Sequence, residues 1–155
     1  MRLQAEPAGP SEEDIATCSG VTVDRAVKID ELVRLLHVFK GLPSPHLGTM
    51  KEQRYCGKVV DAIRGCSSVI VARQDAAIAA GVAAPIVAVL TGVHLEDRET
   101  CMRVSRCIDG ICGKNEAACA AFGEAGGKAA LEAVIAKHSG RDTKSFEQAL
   151  AHLAA

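Results

Sequence analysis

Apolar residues recur at helical spacing along most of this chain. Val104, Ile108 and Ile111 follow one another at intervals of four and three residues, and Val59 and Ile63 show the same spacing earlier. Such intervals place side chains on one face of an α-helix, whereas a half-buried strand would alternate apolar and polar residues. The pattern therefore predicts an all-helical chain.

The helical pattern occurs more than once, at a fixed separation of 45 residues. Residues 54–90 align on residues 99–135 without a gap, and a further step of 45 residues carries Ile108 onto Leu153. Repetition at a period of this size is typical of chains built from stacked helical units. The residues that coincide include Cys56 with Cys101, Val59 with Val104, Ile63 with Ile108, Gly65 with Gly110, Gly81 with Gly126 and Val89 with Val134.

Each unit is predicted to contain three helices. The first ends at Gly81 or Gly126, because glycine most readily adopts the left-handed conformation that ends a helix. The second carries Pro85 in its first turn, where the missing N–H costs nothing. The predicted spans are residues 73–80 and 116–125 for the first helix, 84–90 and 128–137 for the second, and 51–64, 96–111 and 144–154 for the third.

A single unit of this kind cannot bury its apolar faces alone, so neighbouring units must cover them. We therefore expect an all-α fold, a right-handed α-solenoid of about three three-helix repeats over residues 21–155, with the first and last repeats incomplete. Residues 1–20 are predicted to be a flexible lead-in, because residues 6–14 are rich in Pro, Gly and acidic side chains. The alternative is the degenerate remnant of an earlier repeat.

Three segments of the chain resemble armadillo repeats. DAAIAAGVAAPIVAVL (residues 75–90) and KNEAACAAFGEAGGKAALEAVI (residues 114–135) follow the first two helices of that repeat, and EQALAHLAA (residues 147–155) is similar to the third. IDELVRLL (residues 29–36) is similar to the second helix of a degenerate first unit or cap. The resemblance implies a scaffold fold, which different proteins use for different partners.

The resemblance also bears on the kind of partner. Family members that carry extended basic peptides place a Trp on the third helix and an Asn four residues later. This chain has neither the Trp nor the Asn at the corresponding positions, which argues against recognition of basic peptides. The corresponding residues here are Asp61, Arg106 and Ala151 at the Trp places, and Gly65, Gly110 and Ala155 at the Asn places.

In this family the third helices line a concave groove, which implies a partner-binding surface. Its five cations outnumber two carboxylates, a net charge of +3, whereas the whole chain has a net charge of −1. We therefore expect a protein or peptide partner of acidic character, with glycines leaving room for its close approach. The alternative is an ordinary solvated helix face. The predicted residues are Arg54, Lys58, Asp61, Gly65, Arg103, Arg106, Gly110 and Lys114, with Val69 and Glu99 beside them.

Reversing the charge of Arg103 and Arg106 together is expected to weaken partner binding at least about tenfold. Thermal unfolding is expected to stay nearly unchanged.

The composition narrows the function classes. A net charge of −1 predicts no general attraction to nucleic acid or to an anionic membrane. The longest apolar run, from Ala76 to Leu90, has 15 residues and contains Gly81, whereas a spanning helix needs about 20. We interpret it as a buried helix pair with a turn at Gly81. The first residues lack the apolar stretch of a signal peptide, which predicts a cytoplasmic protein with seven reduced, packed cysteines.

No motif for catalysis, cofactor binding or metal binding is evident. Cys101, Cys107 and Cys112 lack the tight pairing of zinc ligands and are predicted to be buried. Gly126 and Gly127 have no following Lys-Ser or Lys-Thr, so they are predicted to cap a helix rather than to bind phosphate. The histidines lack a nucleophile and an orienting partner in the sequence pattern, and we expect solvent-exposed or capping positions for them.

The sequence therefore favours a non-enzymatic scaffold or adaptor without a cofactor. A helical-repeat nucleic-acid-binding module is an alternative, although its four aromatic side chains provide few partners for bases. A structural segment of a larger assembly and an enzyme on a solenoid are the others. Self-association is expected through the C-terminal helix, where Phe146, Leu150 and Leu153 recur at helical spacing on a face that the preceding unit covers only on one side.

Overall fold

The structure is a computed structural model that describes residues 29–40, 55–92 and 94–153. Within these ranges the chain is all-helical and contains no strand, as the pattern of apolar residues predicts. The eight described helices are α1 (Ile29–Phe39), α2 (Tyr55–Ser67), α3 (Val71–Ala79), α4 (Ala83–Thr91), α5 (Arg98–Cys112), α6 (Glu116–Glu124), α7 (Gly127–Lys137) and α8 (Lys144–Leu153).

Polar side chains begin two of the helices. The Asp97 carboxylate accepts a hydrogen bond from the Thr100 N–H at 3.3 Å at the start of α5, and the Asn115 side chain accepts one from the Ala118 N–H at 3.1 Å at the start of α6. Helix α3 instead begins after Ile70, whose side chain provides no such bond. The same position of the repeat is therefore polar in one unit and apolar in the other.

The repeat of 45 residues extends to the backbone. Helices α3 and α6 have equal lengths and begin 45 residues apart. Gly81 and Gly126 follow their ends with φ angles of 82° and 87°. Two other residues in matching places, Val69 and Lys114, also have left-handed φ angles, of 74° and 57°. The predicted glycine ends of these two helices, 45 residues apart, are thus present in the three-dimensional structure.

Helices in matching places pack against one another. Helix α5 lies against both α2 and α8, α4 lies against α1 and α7, and α3 contacts α6. Their buried faces form one apolar core that runs through all eight helices. Its largest fully buried side chains include Phe39, Ile63, Ile86, Leu90, Ile108, Ile111, Phe122, Leu131 and Phe146.

The predicted helices differ from the observed ones mainly at their ends. Helix α1 continues to Phe39 and α2 to Ser67, beyond the predicted ends at residues 36 and 64. The predictions for residues 1–20, for Arg54 and for Cys18 lie outside the described residues. In the described part no single helix is long and apolar enough to cross a membrane. Helices α3 and α4 together have the length and composition of a membrane span, but a bend of 75° separates them. The predicted turn at Gly81 lies at this bend.

A buried polar pair connects α3 with the α5–α6 corner. The Gln74 amide nitrogen donates to the Gly110 and Gly113 carbonyl oxygens at 3.1 and 3.2 Å. The Asn115 amide nitrogen donates to the Gln74 side-chain oxygen at 3.2 Å. Because carbonyl groups at a helix end lack partners within the helix, Gln74 supplies a donor to two part-buried carbonyls.

The C-terminal helix is more covered than the sequence predicts. Phe146 is fully buried, and Leu150 and Leu153 are partly buried against the core. The Leu153 side chain lies over Gly127, where a Cβ atom would come within 2.8 Å of its Cδ1 atom. Self-association through this end stays a prediction, but the apolar surface available for it is small.

The same substitution should have opposite effects at two glycines. A Cβ atom at Gly81 meets nothing within 4 Å, so Gly81→Ala costs stability only through its φ of 82°, by about 1 kcal/mol. Gly123 lies inside α6 with equally open space, so Gly123→Ala should stabilise by about 0.5 kcal/mol because alanine favours helix. Urea unfolding of both variants measures whether each change lowers or raises the free energy of unfolding. A Gly81→Ala protein as stable as the wild type would contradict the left-handed conformation of residue 81.

His94 is buried, which corrects the expectation of an exposed or capping histidine. It lies in the α4–α5 connection with 2% of its surface exposed, and its Nε2 atom is 3.4 Å from the Phe39 carbonyl oxygen. This bond makes Nε2 the protonated nitrogen of the neutral ring. Burial lowers the pKa of His94, although the Phe39 hydrogen bond and Asp97 act in the opposite direction.

The lowered pKa of His94 predicts acid sensitivity. As the pH falls through the unfolded-state pKa, near 6.5, the unfolded chain takes up a proton that the folded chain does not, so the free energy of unfolding decreases. The Tm should hold above this pH and fall below it, and His94→Gln should make the decrease shallower. His37, whose pKa is lowered by partial burial and Lys40, leaves a residual slope. Equal slopes for both proteins between pH 8 and 5 would contradict this assignment.

Candidate functional site

A cleft of about 630 Å³ opens between α2 and α5. Its volume lies within the range of about 300–1,000 Å³ that ligand sites usually occupy. One wall comes from α2 and the residues that follow it, the other from α5. The lining residues are Asp61, Arg64, Gly65, Ser68, Val69, Glu99, Met102, Arg103 and Arg106.

Arg103 joins the two walls. Its Nη1 atom donates to the Asp61 carboxylate at 2.5 Å and its Nη2 atom to Glu99 at 3.2 Å. The stem of the side chain crosses Gly57 so closely that a Cβ atom there would lie 2.9 Å from the Arg103 Cδ atom. A guanidinium that bridges two carboxylates in a fixed geometry is a strong and specific contact. Arg103 therefore connects α2 to α5, and its charge is neutralised within the chain.

Two other cations of the cleft are available. Arg64 and Arg106 have exposed side chains and form no ion pair within the described residues. Burial raises the pKa of the Asp61 carboxyl, while Arg103, Arg64 and Arg106 act to lower it. Counting the lining residues, three arginines face two carboxylates, a net charge of +1. The excess is smaller than the predicted +3, and it is supplied by Arg64 and Arg106, because Arg103 offsets only one of the two carboxylates that it contacts.

The structure brings half of the predicted partner-binding residues together. Asp61, Gly65, Arg103 and Arg106 line the cleft. Lys58 and Lys114 are not among the lining residues, and Arg54 lies outside the described residues.

Gly110 packs against Ser68 of the same chain and does not leave space for a partner. A Cβ atom there would collide with the Ser68 hydroxyl, so Ser68 of the same chain fills the room that was expected for a partner.

Arg64, Ser68 and Met102 line the cleft but were missed by the sequence interpretation. Arg64 lies three residues after Asp61 and therefore on the same helix face, a spacing that the assumed groove positions left out. That spacing is the signal that could have identified it. Met102 gives no such signal, because its place in the cleft depends on how α5 crosses α2.

An apolar ridge continues from one end of the cleft. We use this name for Val69, Ile70 and Val71, which are 87%, 48% and 52% exposed and are the exposed large apolar side chains of the described residues. Val69 also lines the cleft. The matching residues of the next unit are polar, namely Lys114, Asn115 and Glu116. The next unit therefore has no such ridge.

Val69 has an unfavourable backbone conformation. Its φ of 74° lies in the left-handed region, which costs roughly 1–2 kcal/mol for residues with a Cβ atom and is rare for β-branched ones. An exposed valine gains no burial to offset this cost. Backbone strain of this kind often occurs where a residue contacts a ligand.

A second groove, of about 460 Å³, lies between α4 and α7. It is lined mainly by alanines and has no charged residue among its lining residues, so it offers no charge to select a partner. It provides a place for control substitutions, such as Ala133 on the exposed side of α7.

The described residues contain no group of three or more His, Cys, Asp or Glu side chains placed to hold a metal ion. The six described cysteines are free thiols. Burial raises the pKa of Cys101 to about 12 and raises the pKa of Cys107 and Cys112 as well. These thiols are therefore protonated at neutral pH and unreactive as nucleophiles.

Comparisons with protein-family models, with curated proteins and with solved structures found no match to this chain.

Proposed function

We propose that this chain is a protein-interaction scaffold built as an armadillo-type α-solenoid, and that it binds its partner in the cleft between α2 and α5. The fold proposal is supported by the shared repeat of sequence and backbone and by the packing of matching helices against one another. In this arrangement α2, α5 and α8 are the third helices of successive repeats.

The observation that carries the function is the pair of available arginines. Arg64 and Arg106 line a cleft of about 630 Å³ without an ion pair in the described part of the chain. Unpaired charge at an open surface attracts a partner of opposite sign and selects against partners of like sign. The cleft therefore suits an acidic protein surface or segment.

Binding accounts for the cleft better than catalysis does. Asp61 and Glu99, the carboxylates that could transfer a proton, are both engaged by Arg103. A general base needs an unengaged group within reach of the proton that it accepts. We assign no reaction and no cofactor to this site. Free thiols throughout the described residues are in keeping with a reducing compartment, and we propose the cytoplasm.

The test compares partner capture by three forms of the tagged protein in extracts of cells that express it. The cleft variant is Arg64→Gln with Arg106→Gln, since glutamine removes charge without adding a carboxylate beside Asp61 and Glu99. The matched control is Lys128→Gln with Arg141→Gln, which neutralises two exposed cations away from the cleft.

Quantitative mass spectrometry should show a protein that the wild type and the control retain and that the cleft variant loses at least about tenfold. Melting curves must confirm that all three forms are folded. Identical partner profiles for the wild type and the cleft variant would refute the proposed site.

A further inference from the structure

The apolar ridge and the cleft form one continuous surface. Val69 lines the cleft and is also the first residue of the ridge, so both features meet at its side chain. A contiguous exposed apolar surface with a polar rim is a usual mark of a protein-interaction site. An occupant of the cleft that reaches its end therefore contacts the ridge as well.

The conformation of Val69 argues that the ridge serves a partner. A left-handed residue is tolerated best as glycine or asparagine, and an exposed valine there weakens the isolated fold. A sequence that breaks a local rule without a packing gain commonly does so at a functional position. Contact between the exposed valine and an apolar side chain of a partner would supply that gain.

The charges of the cleft define the rest of the partner. Arg103 offsets one of the two carboxylates that it contacts, so Arg64 and Arg106 give the cleft its net charge of +1. An occupant therefore gains most by carrying carboxylates. Gly65 lies four residues after Asp61 on the same face of α2, and both line the cleft together with Val69, which follows the end of α2.

We propose that the cleft and ridge bind an extended peptide segment of a partner protein in which acidic side chains stand next to apolar ones. The carboxylates bind Arg64 and Arg106, and the apolar side chains pack on Val69, Ile70 and Val71. This inference rests on the proposed function and names the class of partner. Nucleic acid fits less well, because the cleft is lined by no aromatic side chain on which bases would stack.

The first experiment selects ligands from a displayed library of random peptides about 12 residues long, long enough when extended to span a cleft of this kind. The wild-type chain is the bait, and the cleft variant Arg64→Gln with Arg106→Gln is used for counter-selection. We expect enriched peptides that contain Asp or Glu within a few residues of Leu, Ile or Phe. Enrichment of basic peptides, or of none, would overturn the inference.

The second experiment measures the affinity of one selected, fluorescently labelled peptide for four forms of the chain. The cleft variant should bind at least about tenfold more weakly. Val69→Asn should also bind more weakly, while its Tm rises because asparagine tolerates the left-handed conformation. Ala133→Arg, in the groove between α4 and α7, should bind like the wild type. A purely structural role of Val69 would not combine weaker binding with greater stability.

The remaining outcomes separate this inference from the proposed function. If Val69→Asn or the cleft variant binds the peptide as the wild type does, the inference is wrong. If a single-stranded RNA of 12 nucleotides competes better than an unlabelled copy of the peptide, the partner class is wrong. If the selection fails while capture from extracts still depends on Arg64 and Arg106, the scaffold function stands with a different partner. If neither depends on these arginines, both proposals fail.

Discussion

Replacing Asn115 by leucine will lower the free energy of unfolding by about 2–4 kcal/mol. The side chain caps α6 by accepting the Ala118 N–H, and it donates to the buried Gln74 side chain. Losing a cap costs about 1 kcal/mol, and leaving a buried polar atom without its partner costs about 1–3 kcal/mol more. Urea unfolding of the purified variant measures the sum.

A double-mutant cycle with Gln74→Leu separates the cap from the buried pair. The double variant should be more stable than the sum of the two single changes predicts, because it leaves no half-satisfied amide pair. Asp75→Ala serves as the control, since this carboxylate also accepts from Asn115 but is exposed, and its loss should cost less than about 1 kcal/mol. Strict additivity in the cycle would show that Gln74 and Asn115 act independently.

The Gln74–Asn115 pair also shows where sequence reasoning stops. The helical class, the repeat of 45 residues and the glycine at the end of α3 all follow from local spacing and from the conformational freedom of glycine. The pair joins residues 41 positions apart, and its existence depends on how α3 packs against the α5–α6 corner. No local pattern encodes that packing, so Gln74, which stands between Arg73 and Asp75, gave no signal of its burial.

Only part of the cleft could be predicted from the sequence. The resemblance to armadillo repeats implied a groove that includes Asp61, Gly65, Arg103 and Arg106, and these four residues line the cleft. It could not show that the Arg103 side chain crosses Gly57 to reach Asp61, because this contact depends on the distance and angle between α2 and α5. The sequence therefore counted Arg103 as a charge for the partner, although the fold uses it.

His94 illustrates a different limit. A histidine in a short connection between helices is usually exposed, and the sequence offers no reason to expect otherwise. The connection packs so that the ring reaches the Phe39 carbonyl at the end of α1, 55 residues earlier in the chain. Its burial is a consequence of tertiary structure alone.

Two arginines of the same cleft wall should respond differently to charge reversal. Arg103→Glu removes the cation that holds Asp61 and Glu99 and places a third carboxylate beside them, so the free energy of unfolding should fall by about 2 kcal/mol. Arg106→Glu changes an exposed side chain without an ion pair in the described residues, so the repulsion that it adds near Asp61 should cost less than about 1 kcal/mol. This difference replaces the expectation that reversing both would leave unfolding nearly unchanged.

Salt and a conservative variant identify the cause of the Arg103 effect. The stability difference between wild type and Arg103→Glu should shrink as NaCl is raised toward 1 M, because salt screens repulsion among partly exposed carboxylates. Arg103→Lys keeps the charge but not the planar fork that contacts both carboxylates, so its loss should be intermediate. Partner binding should follow the opposite order, with Arg106→Glu weakening it more than Arg103→Lys does. Equal stability of the Arg103→Glu and Arg106→Glu proteins at low salt would mean that the Asp61–Arg103–Glu99 contact does not hold α2 against α5.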